Sequence, residues 1–201
     1  ENAIANTQPL FPPTAMVGVV GVLEVDKRAE MGFRRPGEVL LLIGEERGEL
    51  GASEVLYLLT GKEFGHPPRL DLGREKAVQE AIRDLIQRGL TRTAHDVAEG
   101  GLLLALAEMT FPYGVGATVE VREEGLEALF GEAPSRVLCT GEKTRLQGAT
   151  LLREERGLPD RVRGETGGKS LTVLTPGGVL EWSLEELLSA WKAPLREVLD
   201  G

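Results

Sequence analysis

Apolar positions along this chain fall into two periods, one of strands and one of helices. "EVLLLIGE", Glu38 to Glu45, is a β-branched and leucine-rich run bounded by glycines, the pattern of a strand. "ELGASEVLYLLTG", Glu49 to Gly61, spaces Val55, Leu56, Leu58 and Leu59 as a short helix with Ser53 placed to cap it. The two prolines of "GHPPRLDL" exclude helix there. "REKAVQEAIRDLIQRG" then sets Ala77, Val78, Ala81, Ile82, Leu85 and Ile86 on one helical stripe that Gly89 ends.

Beyond it, the pattern predicts a helix from about Glu99 to Met109 and strands at Ala117 to Val121 and Arg136 to Cys139. A helix over "KTRLQGATLLREERG", closed by Gly157, and a strand in "KSLTVLT" follow. The tail "SLEELLSAWKAPLREVL" is an amphipathic helix begun by the Ser183 and Glu186 pair of a capping box, with Pro194 expected to kink or end its first part. Strands and helices interleave without strict βαβ alternation. The expectation is an α+β fold, a layered α/β/α domain with a mixed sheet.

Residues 1–34 read as the tail of an upstream domain, and residues 35–201 as the main domain. The first part is polar, then Pro-rich, then apolar and strand-like from Met16 to Leu23, and it opens without an initiating Met. The chain is therefore expected to be a piece of a longer one. The apolar edge "AMVGVVGV" is expected to pair with an absent strand or a partner chain.

Composition narrows the function classes. The 201 residues are 41% hydrophobic and 27% charged, as in water-soluble globular proteins. A net charge of −9 argues against a protein that coats nucleic acid. No apolar run approaches the roughly 20 residues of a membrane span. Cys139 is the only cysteine, so an internal disulfide is impossible and a cysteine zinc site disfavoured, which fits a cytoplasmic setting.

The candidate chemistry centres on "TAHDVAEGGLLLALAEM", Thr93 to Met109. Asp96-Val97-Ala98-Glu99 has the D-x-x-E form of a capping box, so Asp96 is either a helix cap or something more. Capping leaves Gly100 and Gly101 unexplained, since each costs about 1 kcal/mol relative to Ala inside a helix. A phosphate at the first turn would explain them, and a magnesium ion held by Asp96 would offset the charge repulsion. His95 is either a general base or, more simply, a hydrogen-bonded structural group, and His66 reads as structural. "ELGASE" is a capped helix start or a second anion-facing turn. In "FGEAPSRV", Glu132, Ser135 and Arg136 surround a proline, and Arg136 grips an anion or closes an internal salt bridge. "RGETGGKSLTV" reads as a turn between strands.

"PPTAMVGVVGVLE", "LGASE", "TAHDVAEGGLLLALAEM", "LFGEAPSR" and "GETGG" occur in an order and spacing similar to the formylglycinamidine ribonucleotide synthetase family. Members are also called phosphoribosylformylglycinamidine synthases. The chain resembles the carboxy-terminal pseudo-repeat of the synthetase subunit. Relatives in the wider superfamily are aminoimidazole ribonucleotide synthetase, selenophosphate synthetase and a hydrogenase maturation factor.

The resemblance implies an aminoimidazole ribonucleotide synthetase-like carboxy-terminal domain of a purine-biosynthetic ligase. That ligase converts formylglycinamide ribonucleotide to formylglycinamidine ribonucleotide, using ATP and glutamine-derived ammonia. Asp96 matches the family's magnesium-binding aspartate. Ala98 stands where many members carry a nucleotide-contacting serine, so a contact there would use backbone, with Gly100 and Gly101 beside it. Glu99 replaces a usual Asp, Ala15 departs from a common "PTP", and Gly51-Ala52-Ser53 replaces a common Gly-Gly-Ser.

Implied cofactors are Mg²⁺ and ATP, or ADP in an auxiliary site. Implied partners are the rest of the synthetase chain, a glutaminase subunit and a small third subunit. The resemblance places the family's catalytic histidines, its main ATP-binding lysine and most magnesium ligands in upstream regions, so this chain is expected to carry no catalytic residue and to be inactive alone. Two rivals are a docking module with a degenerate nucleotide site, and a domain of aminoimidazole ribonucleotide synthetase. The latter is expected to show a His-Ile-Thr-Gly-Gly-Gly type turn in place of "AHDVAEGG".

Overall fold

A computed structural model describes residues 16–44, 49–145, 157 and 160–200. The helix expected from Lys143 to Gly157 lies mostly outside the described residues, and Ala15 lies outside them as well.

Among the described residues, seven strands form one sheet. They are β1 (Val39–Ile43), β2 (Thr93–Asp96), β3 (Ala117–Glu120), β4 (Val137–Gly141), β5 (Asp160–Thr166), β6 (Ser170–Thr175) and β7 (Gly178–Ser183). Their order across the sheet is β2-β4-β1-β5-β3-β6-β7. Every neighbouring pair is antiparallel except β3 and β6, which run parallel with Ala117 opposite Leu171. The mixed sheet expected from the interleaved pattern is present.

The apolar run of β1 is buried on both faces because helices cover both. Leu40 and Leu42 join Leu138, Val119, Leu171 and Val173 in one core, while Leu41, Ile43 and Cys139 join Val78, Ala81 and Leu85 in a second. The second core lies under α2 (Leu72–Gln87), whose stripe was legible from its spacing. Its N-cap is Asp71, which accepts from the N–H of Arg74 at 3.0 Å.

The first core lies under α3 (Gly101–Thr110) and α4 (Leu126–Phe130). At its margin α5 (Leu184–Asp200) adds Leu187, and Trp191 rests 5.4 Å from Phe111 between ring centroids. Helix, sheet and helix thus form the three expected layers.

Two expected caps are in place. Ser53 caps α1 (Glu54–Thr60), accepting from the N–H of Leu56 at 3.3 Å. Ser183 and Glu186 close a reciprocal capping box on α5, with contacts of 2.8 Å and 3.2 Å. The helix continues across Pro194 instead of ending there.

Other expectations are corrected. β2, β5, β7 and α4 have no counterpart in the pattern-based reading. Residues just before 35 also contact the main domain. Glu30 bridges to Thr93, the N–H of Phe33 donates to the carbonyl of Met109 at 2.7 Å, and Phe33 is fully buried. Met16 to Leu23 forms no strand with the described residues, and Val20 and Val22 are almost completely exposed. Among the described residues, no helix is long and apolar enough to cross a membrane.

Candidate functional site

β2 ends at Asp96, and the chain then turns sharply into α3. β2 is held by β4, with His95 opposite Leu138 and Asp96 opposite Val137. The turn is anchored by the N–H of Val97, which donates to the carbonyl of Arg136 at 2.9 Å. Val97 is buried while Ala98 and Glu99 face solvent.

Asp96 does not cap α3. Its carboxylate is 74% exposed, with Oδ1 3.3 Å from His95 Nδ1. The helix starts at Gly101, and its N-cap is Gly100, which makes no side-chain capping bond. The expected D-x-x-E box is therefore absent, because β2 runs on to Asp96 and the helix starts only at Gly101, leaving Asp96 too far ahead of it to cap.

His95 is only 13% exposed and lies between two acids, Asp96 on Nδ1 and Glu108 on Nε2 at 3.0 Å. Both ring nitrogens are thus engaged within the domain, the structural role foreseen as the simpler reading. His66 is exposed in the loop before α2.

The paired glycines have an internal explanation. Gly100 has φ +73° and Gly101 φ +68°, the left-handed region that a side chain disfavours. A Cβ on Gly101 would stand 2.5 Å from the carbonyl carbon of Phe130, so the α3 turn packs backbone to backbone on the end of α4. The N–H of Gly101 donates to the carbonyl of Ala98 at 3.1 Å. The N–H of Gly100 donates to Glu132 Oε1 at 2.9 Å, and that same oxygen accepts from the N–H of Glu54, also at 2.9 Å.

Glu132 is thus tied to the turn, as is the rest of the "FGEAPSR" segment. Arg136 is buried, and its guanidinium donates to the carbonyls of Ala133, at 2.8 Å, and Gly131. These contacts with carbonyls hold the segment in shape. Ser135 sits at φ +62° and donates to Glu75 at 2.6 Å. The pattern had gathered Glu132, Ser135 and Arg136 into one motif. The reach of Glu132 to two distant amides had no sequence signal.

Asp96, Ala98, Glu132, Ser135 and Glu75 line a cavity of about 460 Å³ between the turn and α2. A larger depression of about 570 Å³ lies over β3 and β5 beside Thr118, Glu120 and Glu165, and contains none of the expected site residues. Among the described residues, no three His, Cys, Asp or Glu side chains gather as a metal cage. Asp96 keeps an exposed carboxylate at the cavity. One such group suits a magnesium ion whose remaining ligands are phosphate oxygens and water, and does not suit a protein-only metal site.

Three comparisons bear on this geometry. Residues 35–174 match the family model "AIR synthase related protein, C-terminal domain". The chain is 97% identical over 191 residues to the phosphoribosylformylglycinamidine synthase subunit PurL of Thermus thermophilus, covering 95% of this chain and 26% of the relative. The chain thus spans about a quarter of the length of that relative.

Solved structures share the fold. Thermotoga maritima PurL complexed with FGAR superposes with a TM-score of 0.70 at 23% identity, over 81% of this chain and 30% of that one. The same protein complexed with ATP gives 0.68 at 21% identity, over 83% and 28%. The structure of PurLQS from Thermotoga maritima gives 0.66 at 22% identity, over 83% and 28%.

Proposed function

The chain belongs to the AIR synthase related protein C-terminal domain family, and from that premise we propose that it serves as a domain of an ATP-dependent carbon–nitrogen ligase of purine biosynthesis. The observation that carries the reading is the 97% identity to a phosphoribosylformylglycinamidine synthase subunit. In the whole protein, the reaction would convert formylglycinamide ribonucleotide to formylglycinamidine ribonucleotide. Its other participants would be the rest of the synthetase chain, a glutaminase subunit and a small third subunit. A cytoplasmic setting fits this role.

The part assigned to this chain is one wall of a nucleotide site. Asp96 is the residue that would hold Mg²⁺, and the ion would offset charge on the nucleotide phosphates. Ala98 meets the nucleotide through its backbone, while Gly100 and Gly101 shape the turn that presents both residues. In this reading His95 is a structural group, both of its nitrogens being engaged within the domain. Calorimetric titration with Mg-ADP tests the reading. Binding by the unaltered chain that Asp96→Asn abolishes supports it, and absence of heat from the unaltered chain refutes it.

A second reading, a docking module with a degenerate site, has two observations in its favour. Ala98 lacks a hydroxyl, and the N–H groups of both Gly100 and Gly101 have internal partners. Under this reading the titration is silent while the domain still supports assembly of the longer chain.

A further inference from the structure

We propose that Glu132 is a built-in anion: its carboxylate occupies the β2–α3 turn and excludes free phosphate from it. This goes beyond the nucleotide reading and holds whether or not Mg-ADP binds. The starting point is the double acceptance by Oε1, 2.9 Å from the N–H of Gly100 and 2.9 Å from the N–H of Glu54. An ionised carboxylate satisfies both amides with charge-assisted bonds, so the Gly100 and Glu54 donors are already in use.

Three further contacts keep Glu132 there. Its own N–H donates to the carbonyl of Glu49 at 3.0 Å. Phe130 and Gly131 press against Gly101, where even a methyl group has no room. On either side of Glu132, the carbonyls of Gly131 and Ala133 accept from the buried Arg136. A phosphate entering this turn would have to displace a carboxylate whose backbone cannot follow it outward. It would also meet the negative charges of Glu132, Asp96 and Glu99 together. Exclusion from the turn leaves the exposed Asp96 carboxylate as the point of approach, through a cation.

The test follows the Gly100 and Glu54 amides by NMR in the 201-residue chain, using inorganic phosphate without magnesium or nucleotide. In the unaltered chain, phosphate should produce no saturable shift at either amide. In Glu132→Ala both amides should exchange with solvent about tenfold faster or more, as one charge-assisted bond is lost from each. Formate, a free carboxylate, should then restore protection saturably, a rescue that a purely packing role would not give. Glu132→Gln keeps an acceptor oxygen and should keep both amides protected.

A saturable phosphate shift at Gly100 in the unaltered chain overturns the proposal, as does full protection of both amides in Glu132→Ala. If Glu132→Ala does not fold, the phosphate titration of the unaltered chain decides the matter. Failure of Mg-ADP to bind would count against the nucleotide site alone, since none of these readings uses nucleotide.

Discussion

His95 Nε2 lies 3.0 Å from the carboxylate of Glu108, joining the end of β2 to the third turn of α3. The strand and the helix diverge at the Asp96–Gly101 turn, and this bond closes the angle between them. His95→Ala should lower stability by about 1 kcal/mol, a modest figure because Glu108 is partly exposed. Urea denaturation measures this. An unchanged midpoint would remove the structural role and reopen a chemical one.

Gly101→Ala should be among the most damaging single substitutions in the domain. It adds left-handed strain and a clash with Phe130 backbone that no rotamer relieves, together costing about 2 kcal/mol or more. Gly100→Ala carries the same kind of strain but meets the Leu104 side chain, whose Cδ2 can rotate away while its Cβ at 2.8 Å cannot, and no backbone of another segment. Thermal melts should therefore rank Gly101→Ala below Gly100→Ala. The reverse order would mean that the packing on Phe130 is not what requires glycine.

Ala52 sits at φ +58° with an exposed side chain. Ala52→Gly removes strain of about 1–2 kcal/mol and adds about 0.4–1 kcal/mol of unfolded-state freedom, a net gain of a few tenths to about 1 kcal/mol. The main-chain bond from its N–H to the carbonyl of Phe64, 2.9 Å, survives the change. A lower melting temperature for Ala52→Gly would contradict this.

The capping box of α5 gives a pH dependence with a defined sign. Hydrogen bonds from the Ser183 hydroxyl and then the Ser183 N–H hold the Glu186 carboxyl below the usual glutamate range. A lowered folded pKa means that the contribution to stability is present above the ordinary glutamate value. It is lost as pH falls through the lowered one. An NMR titration should place the Glu186 midpoint below that of a free glutamate, and Ser183→Ala should raise it. A midpoint insensitive to Ser183→Ala would break the assignment.

What the sequence made legible follows from how locally each feature is determined. β1, α2 and the α5 cap are specified by residues within one element, so period and capping chemistry find them. β2 is four residues with a polar half, and β5, "DRVRGET", has no apolar alternation. Both are strands because of the neighbours they pair with, β4 on one side and β1 with β3 on the other. The site divides in the same way. Asp96 was singled out by its motif, whereas the packing that requires glycine at position 101, the backbone at Phe130, lies in a distant segment and left no local signal.

The strand order has a consequence for the time course of folding. β1 emerges first in the chain, yet both its sheet neighbours, β4 and β5, come only after α1, α2, β2, α3, β3 and α4 have been made. Only β6 and β7 are joined by a tight turn. Nearly every pairing therefore closes a long loop, which slows folding relative to a meander of the same size. On the ribosome the middle of this sheet stays unfinished until synthesis has passed Thr166, and until then β1 and β3 each keep an unpaired edge open to intermolecular association.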